Sequence, residues 1–267
     1  NTLKTALASL GLLALPLAEA RITADISAPK NQQAIILETT NGLPQVNIQP
    51  PRAGGVSRNT FSQFDVNQQG AILNNARKNT QTQLAGWVEG NPHLAKGEAN
   101  VILAEVNSTN PSYLNGYIEI AGGRAELIVA NPAGISCDDC GFINANRATL
   151  TTGDVNIKNG LVHGYTIEKG TIQIQQGGMD ARDTDFTSLI SRAVEINGNI
   201  HANDLKVVAG TNHVSGDQKT ISKRTSNNPE NKPQISIDTG QLGGMYAGKI
   251  ALIGTEDGVG VRHAGTI

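Results

Sequence analysis

Short apolar runs, separated at close intervals by Gly, Asn or Asp, constrain the fold of this chain more than any other feature. The runs lie at 155–157, 171–174, 194–196, 205–208, 235–237 and 250–253. Residues 196–210 show one full unit, with Ile, Ala, Leu and Val at inward positions and Asn or Gly at the bends. Strands this short and this regularly interrupted are typical of a solenoid with a period of about 20 residues. The sequence therefore predicts an all-β fold, a right-handed parallel β-helix.

The composition agrees with coils that stack on one another. The chain has 267 residues, of which 30 are glycines and only 3% are aromatic. Successive coils of a β-helix lie about 4.8 Å apart, so aliphatic side chains stack in register inside while small residues occupy the bends. A narrow interior of this kind rarely accommodates aromatic rings. We therefore expect a core built from layers of Ile, Leu, Val and Ala.

The N-terminal part of the chain has a different pattern and predicts a β cap. Phe61, Phe64 and Trp87 are aromatic residues that we expect to cover the open first coil. A solenoid needs such a cap because an exposed β edge invites aggregation. Two later segments interrupt the coils: 177–191 predicts a short helix or an excursion packed on the coil side, and 216–233 predicts an exposed loop or a hairpin tip. The predicted β-helix thus carries extra-helical strands.

The first residues have the pattern of a secretory signal. Lys4 precedes an apolar stretch over 6–17, and residues 18–20 have the small-x-small form of a signal-peptidase site. The apolar stretch is shorter than the roughly 20 residues that a membrane-spanning helix needs, so an anchor is the weaker interpretation. We predict a signal remnant over 1–20 and one domain over 21–267, with a cap over roughly 21–96 and coils over roughly 97–267.

Residues 131–144 contain a turn-forming Asn-Pro followed closely by the only two cysteines of the chain. Proline fixes its own φ, Asn side chains bond nearby backbone and Gly tolerates a positive φ, so the segment predicts a fixed corner between strands. In an oxidising compartment Cys137 and Cys140 can form a disulfide. Asp138 and Asp139 disfavour the thiolate of a redox-active pair, and zinc would need two further ligands. A structural disulfide is the favoured interpretation.

Two runs resemble the marker motifs of a known family. They are Asn91-Pro92-His93-Leu94 and Asn131-Pro132-Ala133-Gly134-Ile135. They are similar to Asn-Pro-Asn-Leu and Asn-Pro-Asn-Gly-Ile of the N-terminal secretion domain of two-partner secretion exoproteins, and each differs only at its third position. This family includes filamentous haemagglutinins, haemolysins and contact-dependent growth-inhibition toxins. The stretch 97–106 and the Cys-x-x-Cys followed by Gly-Phe-Ile-Asn resemble the haemolysin and growth-inhibition branch, and the resemblance extends from about Ile22 to the C-terminus.

The resemblance implies a secretion-targeting and folding-nucleation domain of a large exported exoprotein. Its partner would be an outer-membrane transporter that recognises it through periplasmic POTRA domains, and the product would be secreted or displayed on a Gram-negative bacterium. A missing C-terminal region would contact any receptor on a host or neighbouring cell. The implied secretion-motif residues are Asn91, Pro92, Leu94, Asn131, Pro132, Gly134 and Ile135. In a second interpretation, these residues only shape turns or fill the core.

Several functional classes have little support from the residues. The net charge of -2 lacks the basic footprint of a nucleic-acid-binding protein. The five histidines are scattered singly, without a Ser or Cys partner, and no Cys or His pair beyond the single Cys-x-x-Cys has zinc spacing. We therefore expect no catalytic residue, no metal and no cofactor.

One alternative is a β-helix enzyme that degrades polysaccharide. Its candidate residues are Asp180, Asp183 and Asp185. Inverting glycosidases hold two carboxyl groups about 6.5 to 9.5 Å apart, a distance that Asp183 and Asp185 could meet on one strand face. Nearby Arg182 favours a solvated salt bridge instead.

A second alternative is an intrinsic adhesin that binds a glycan or a host receptor. Sugar sites usually contain stacking aromatic rings. Tyr113, Tyr117 and Tyr165 are the only plausible platform for this role, although residues of this type are more often structural.

Overall fold

The computed structural model describes residues 21–225 and 232–267, which form 28 β-strands and two 3-10 helices, Lys30–Gln32 and Pro92–Leu94. The predicted signal over 1–20 lies outside the described residues. Neither helix in the described ranges has the length and apolarity that crossing a bilayer requires. We number the strands β1 to β28 in chain order.

Three sheets, here called walls A, B and C, enclose one hydrophobic core. Wall A consists of β1 (Ile22–Ala24), β4 (Val56–Phe64), β8 (Val101–Val106), β11 (Ala125–Ala130), β14 (Ala145–Thr151), β19 (Phe186–Ser191), β22 (Asp204–Ala209) and β27 (Lys249–Gly254). Wall B consists of β2 (Ile35–Glu38), β3 (Pro44–Asn47), β5 (Ala71–Asn75), β10 (Tyr117–Gly122), β13 (Cys140–Ile143), β18 (Met179–Ala181), β21 (Asn199–Ala202) and β26 (Gly244–Tyr246). Wall C consists of β9 (Ser112–Leu114), β12 (Ile135–Cys137), β17 (Thr171–Ile174), β20 (Ala193–Ile196), β25 (Ile235–Thr239) and β28 (Gly260–His263).

From β8 onward the chain visits walls A, C and B in the same order in every coil, and neighbouring strands within each wall are parallel. The predicted fold class is therefore confirmed: the protein is all-β, with a parallel β-helix, an N-terminal β cap and extra-helical strands. Parallel strands need a crossover rather than a tight hairpin, and here the other two walls provide that crossover.

Equivalent positions of successive coils stack inside the helix. One such row on wall A contains Ala104, Val129, Leu150, Leu189, Val207 and Leu252. All but Leu252 are buried, and fully burying one aliphatic side chain of this size contributes about 1.5 to 3 kcal/mol. The interior is thus mainly aliphatic, as predicted, although the ring of Phe142 also lies in the core.

The cap differs from the coils because its outermost strands are antiparallel. Strand β1 pairs with β4, and β2 pairs with β3. Phe61 and Phe64 are fully buried beneath these strands, with ring centroids 5.1 Å apart. Parallel pairing already includes β3 with β5 and β4 with β8. The division between cap and coils near residue 97 stays a prediction.

Trp87 does not cover the first coil, and that expectation is wrong. It lies in β7 (Gly86–Val88), which forms a hairpin with β6 (Thr80–Thr82) outside wall B. Neighbouring side chains of a strand point to opposite faces, so Val88 packs on the outer face of wall B with Ile72 while Trp87 points away. Trp87 is 69% exposed.

Three segments need comparison with the sequence-based expectations. Residues 177–191 form neither the expected helix nor an excursion. They form strands β18 and β19 of a regular coil, and their acidic residues lie at outward and turn positions. The run at 155–157 is also not part of a coil, since it lies in extra-helical β15 (Asp154–Lys158). Within the expected loop or hairpin tip at 216–233, the described residues 216–223 contain the turn and second strand of an antiparallel hairpin, β23 (Asn212–Ser215) with β24 (Ile221–Lys223), while 226–231 lie outside the described residues.

Strands β15, β16 (Leu161–Ile167), β23 and β24 form one antiparallel extra-helical sheet. Its apolar residues Val155, Tyr165, Ile167 and Val214 pack against Leu103, Ile128, Ile190 and Val208 on the outer face of wall A. Wall A is therefore buried on both faces at these positions, which accounts for the unbroken aliphatic runs of β8 and β11.

Gln218 fixes this sheet on three successive coils. Its amide nitrogen donates to the Thr149 hydroxyl at 2.9 Å, and its amide oxygen accepts from the Ser188 hydroxyl at 2.6 Å. The Lys206 ammonium donates to its backbone carbonyl at 2.8 Å. Thr149, Ser188 and Lys206 are in register on β14, β19 and β22, so one residue binds three rungs.

The extra-helical sheet makes a second contact with the rest of the chain, between Gly160 and Gly54, and replacement of Gly54 tests it. A Cβ at Gly54 would clash with the carbonyl oxygen of Gly160, in the turn between β15 and β16. We expect Gly54→Ala to lower the free energy of unfolding in urea by about 1 to 3 kcal/mol, the usual cost of overpacking, and to speed hydrogen exchange at that turn. Gly260→Ala is the control, because its nearest atom would be 3.7 Å away. Equal stability of the two variants would contradict the contact.

Candidate functional site

Asn131 closes the corner between β11 and β12 with its side chain. The amide nitrogen donates to the carbonyl oxygen of Asn110 at 2.9 Å and to the hydroxyl of Ser112 at 2.9 Å. The amide oxygen accepts from the backbone N–H of Ala133 at 2.9 Å. We call this arrangement an asparagine clamp: one buried side-chain amide that donates to two groups from elsewhere in the chain and accepts one backbone N–H. The residue is 0% exposed, so the clamp is shielded from water.

Asn91, in the other marker motif, forms the same clamp. Its amide nitrogen donates to the carbonyl oxygens of Ile48 at 2.9 Å and Asn74 at 3.0 Å. Its amide oxygen accepts from the backbone N–H of His93 at 3.0 Å and thereby caps the 3-10 helix Pro92–Leu94. Such caps satisfy backbone donors that a helix start leaves unpaired. The residue is 2% exposed.

The other motif residues support the two corners. Leu94 and Ile135 are buried in the main core. Gly134 has a φ of 119°, a conformation that residues with a Cβ rarely adopt. Pro92 is exposed and Pro132 is half-buried. In the described part of the chain, no hydrogen bond or ion pair joins the two motifs, so they form separate corners rather than one site.

The residue at the third motif position takes part in the clamp chiefly through its backbone N–H. The clamps of Asn91 and Asn131 each accept the N–H of this residue, which is present for any residue except Pro. The departures from the family pattern, His93 and Ala133, therefore leave both clamps intact. The His93 ring also contacts the Ile48 carbonyl, with Nδ1 at 3.2 Å.

The clamp also occurs outside the motifs, at Asn75. Its amide nitrogen donates to the carbonyl oxygens of Ala99 at 3.0 Å and Gly123 at 2.8 Å, and its amide oxygen accepts from the Ala99 N–H at 2.8 Å. Asn75 is 0% exposed. The sequence analysis missed this residue because no proline follows it. A polar residue at the end of a buried strand was the available signal.

A disulfide joins Cys137, the last residue of β12, to Cys140, the first residue of β13. It therefore spans the corner between walls C and B directly after the second motif. Asp139, between the cysteines, has a left-handed φ of 61°. Across the described residues, no group of three or more His, Cys, Asp or Glu side chains could hold a metal ion.

The three aspartates of the enzyme alternative do not share a strand face. Asp183 and Asp185 lie in the turn between β18 and β19, and only Asp180 lies on a strand. Asp183 accepts the backbone N–H of Asn144 at 2.7 Å, and Asp185 lies 3.6 Å from Arg124. The expected inverting pair thus lacks the geometry on which it was based.

Asp180 instead belongs to an ion-pair network. It accepts both Nε and Nη2 of Arg182 at 2.9 Å and the hydroxyl of Tyr117 at 2.8 Å. The Arg182 hydrogen bonds, opposed by desolvation, hold the pKa of Asp180 well below its usual range. Burial and the hydrogen bond to Asp180 raise the pKa of Tyr117 to about 12.

The lowered pKa of Asp180 predicts a pH-dependent contribution to stability. A carboxyl group with a lower pKa in the folded state stabilises the fold above its unfolded pKa of about 4, and this contribution is lost as the pH falls through the folded value. We therefore expect the difference in unfolding free energy between the unmodified chain and Asp180→Asn to be larger at pH 6 than at pH 2.5. Urea unfolding at both pH values measures it. Asp185→Asn, at an exposed position, is the control, and an equal pH trend in both variants would contradict the assignment.

The three tyrosines of the adhesin alternative do not form one platform. Tyr165 is only 1% exposed because it packs beneath the extra-helical sheet, so its expected role is wrong. Tyr113 is 50% exposed on wall C, whereas Tyr117 lies on wall B and is bound to Asp180.

Comparison with known proteins places this architecture in a family. The sequence model of the TPS secretion domain matches residues 20–267. The chain is 55% identical over 261 residues to Toxin CdiA of Yersinia pestis, which covers 98% of this chain and 8% of that protein. It is 44% identical over 248 residues to tRNA nuclease CdiA-2 of Burkholderia pseudomallei, covering 92% of this chain and 8% of that protein. The chain thus spans about one twelfth of the length of these relatives.

The fold comparison agrees. The crystal structure of a filamentous hemagglutinin secretion domain superimposes with a TM-score of 0.83 and 32% sequence identity, covering 91% of this chain and 81% of that one. The match to the family model includes both marker corners and nearly all the coils. The chain therefore belongs to the TPS secretion domain family, the secretion-targeting domains of two-partner secretion exoproteins.

Proposed function

We propose that this chain is recognised by the POTRA domains of a partner outer-membrane transporter before it folds, and that it then nucleates folding of its exoprotein outside the cell. The observation that carries the proposal is the burial of both marker asparagines. Asn91 is 2% exposed and Asn131 is 0% exposed, and both amide groups are engaged inside the fold. A transporter that reads these side chains must therefore meet them in an extended chain.

Folding and recognition then compete for the same groups. In an extended chain, the Asn131 amide offers two N–H donors and one acceptor to a partner, and exposed strand backbone can extend a partner's sheet. Once the corner closes, Asn110, Ser112 and Ala133 engage the same amide. Folding therefore releases the chain from the transporter and favours movement of the chain out of the cell.

The register of the coils supports the nucleation role. Each wall strand pairs in parallel with its counterpart in the next coil, as β19 does with β22 and β22 does with β27. A formed coil thus provides the template for the next, so folding that starts in this domain can propagate coil by coil. We propose that the whole exoprotein is a contact-dependent growth-inhibition toxin that is secreted or displayed on a bacterial surface, in keeping with the relatives' names.

Binding of a purified POTRA fragment to the chain tests this proposal. The chain is offered either freshly diluted from urea or after complete refolding, and binding is followed by surface plasmon resonance. We expect binding to the freshly diluted chain and at least about tenfold weaker binding to the refolded chain, the ratio that a free energy of about 1.4 kcal/mol provides. Equal binding to both forms would contradict recognition before folding.

A further inference from the structure

A groove on the outer face of wall B has features that the export function does not use. It lies between strands β2 and β3 of the cap and the β6–β7 hairpin, and it encloses about 350 Å³. Leu37, Gln45, Asn47 and Trp87 line it, together with Glu38 and Glu89. We call this cavity the Trp87 groove. It is separate from the Asn131 corner, although Pro92 of the first marker motif also lines it.

One side of the groove is an aromatic surface. Trp87 is 69% exposed, and Leu37 beside it in the groove is 46% exposed. A large ring in water offers an apolar, electron-rich face, and exposed apolar groups that cluster mark binding sites more often than isolated ones do. Val88, the neighbour of Trp87, fixes the hairpin on wall B, so the indole is held on an ordered strand.

The floor of the groove contains amide groups with unused hydrogen-bonding capacity. Gln45 is 6% exposed and Asn47 is 5% exposed. The oxygen of the Asn47 amide accepts from the Gln45 amide at 3.1 Å and from the Asn74 amide at 2.9 Å. Among the described residues, nothing pairs with the remaining Gln45 oxygen or the Asn47 nitrogen. Neither atom is among the described buried polar atoms that lack a partner, so this acceptor and donor can be reached from the groove by a ligand or a bridging water.

We propose that the Trp87 groove binds a neutral or amino-sugar oligosaccharide. The apolar face of a pyranose ring would lie on the indole, while its hydroxyl groups would bond to the free amide atoms of Gln45 and Asn47. Among the described residues that line the groove, Glu38 and Glu89 are the ionisable ones, and their charge repels sulfated or sialylated glycans. The groove volume suits one or two sugar rings.

The polar floor favours a sugar over a protein partner. Protein hot spots are well-packed, desolvated pockets, usually surrounded by further apolar contacts. Here Thr39 and Thr40 line the groove together with the two amides, so the groove beside Trp87 offers hydroxyl and amide groups. This inference does not depend on recognition by the transporter, and it replaces the tyrosine platform with a different aromatic residue.

Tryptophan fluorescence reports on the groove directly, because Trp87 is the only tryptophan in the chain. The refolded chain is titrated with chitotriose, maltotriose and lactose, and with 3′-sialyllactose and a heparin octasaccharide for comparison, while tryptophan fluorescence is recorded. We expect a saturable change with at least one neutral sugar and none with the two anionic ones. No response to any neutral sugar, or a response to the anionic ones alone, would overturn the proposal.

Calorimetry with two variants then locates the site. Trp87→Ala should weaken binding of the responding sugar at least about tenfold while leaving urea unfolding nearly unchanged, since the side chain is largely exposed. Leu242→Ala removes an equally exposed apolar side chain, 69% exposed, outside the groove, and should bind as the unmodified chain does. Unchanged binding by Trp87→Ala would overturn the assignment. So would an equal loss in both variants.

Discussion

Asn131→Ala is expected to lower the free energy of unfolding by about 1 to 3 kcal/mol, because it removes all three hydrogen bonds of a fully buried amide. The Asn110 carbonyl loses its amide donor, and the Ala133 N–H loses its acceptor. The Ser112 hydroxyl can rotate toward another partner, so loss of the hydrogen bond to Ser112 destabilises the fold less. Urea unfolding followed by circular dichroism measures the change at a constant m-value.

Asn75→Ala is the matched control for this change. Asn75 is equally buried, and its amide also forms three hydrogen bonds, two as donor and one as acceptor, outside either motif. We expect a similar loss of stability in Asn75→Ala. A change below about 0.5 kcal/mol in Asn131→Ala would mean that the clamp does not stabilise the corner.

The same pair of variants separates recognition from folding. Both chains begin unfolded when freshly diluted from urea, so the stability of the fold does not affect the initial contact with a POTRA fragment. Asn131→Ala removes an amide that the transporter is proposed to read, whereas Asn75→Ala does not. We expect weaker binding only in Asn131→Ala. Equal binding by the two variants would assign Asn131 to the fold alone.

Glu256→Ala removes the carboxylate of a buried ion pair with Arg192 and is expected to lower the free energy of unfolding by more than about 1 kcal/mol, the most that an exposed pair usually contributes. Nη2 of Arg192 lies 2.8 Å from Oε1 of Glu256, and the two side chains are only 4% and 8% exposed. Glu256→Ala removes this carboxylate and does not touch the 3.5 Å hydrogen bond from Nη1 of Arg192 to the Glu168 carbonyl oxygen. Urea unfolding of Glu256→Ala measures the loss.

Asp257 is the control, one residue further along the chain. It pairs with Lys223, but its side chain is 88% exposed and that of Lys223 is 44% exposed. Exposed pairs contribute little and are screened by salt, so Asp257→Ala should cost less than about 1 kcal/mol. If Glu256→Ala costs no more than Asp257→Ala, burial does not determine the strength of the pair.

The coils were predictable from the sequence because their register repeats. Apolar positions at a fixed spacing must stack inside, and the predicted strands at 171–174 and 194–196 lie in wall C as expected. The prediction for 177–191 was wrong because charged residues interrupt the apolar pattern there, so the strands β18 and β19 were not apparent. Local pattern alone could not distinguish a coil from an excursion there.

Two features depend on tertiary contacts that no local pattern reveals. The run at 155–157 has the composition of a coil strand, yet it belongs to the sheet that covers wall A. Trp87 looks like a core residue, but strand alternation gives the inward position to Val88. The marker motifs were recognisable by their residue pattern, whereas the clamp that they share with Asn75 required coordinates.

The most direct test of the account is release of this chain from a Gram-negative cell with and without its partner transporter. Protein in the medium is compared with protein retained in the periplasm. The account predicts release that requires the transporter, with the unexported chain held in the periplasm when the transporter is absent. Release without the transporter, or retention of a stably expressed chain in its presence, would contradict the role of this domain in export.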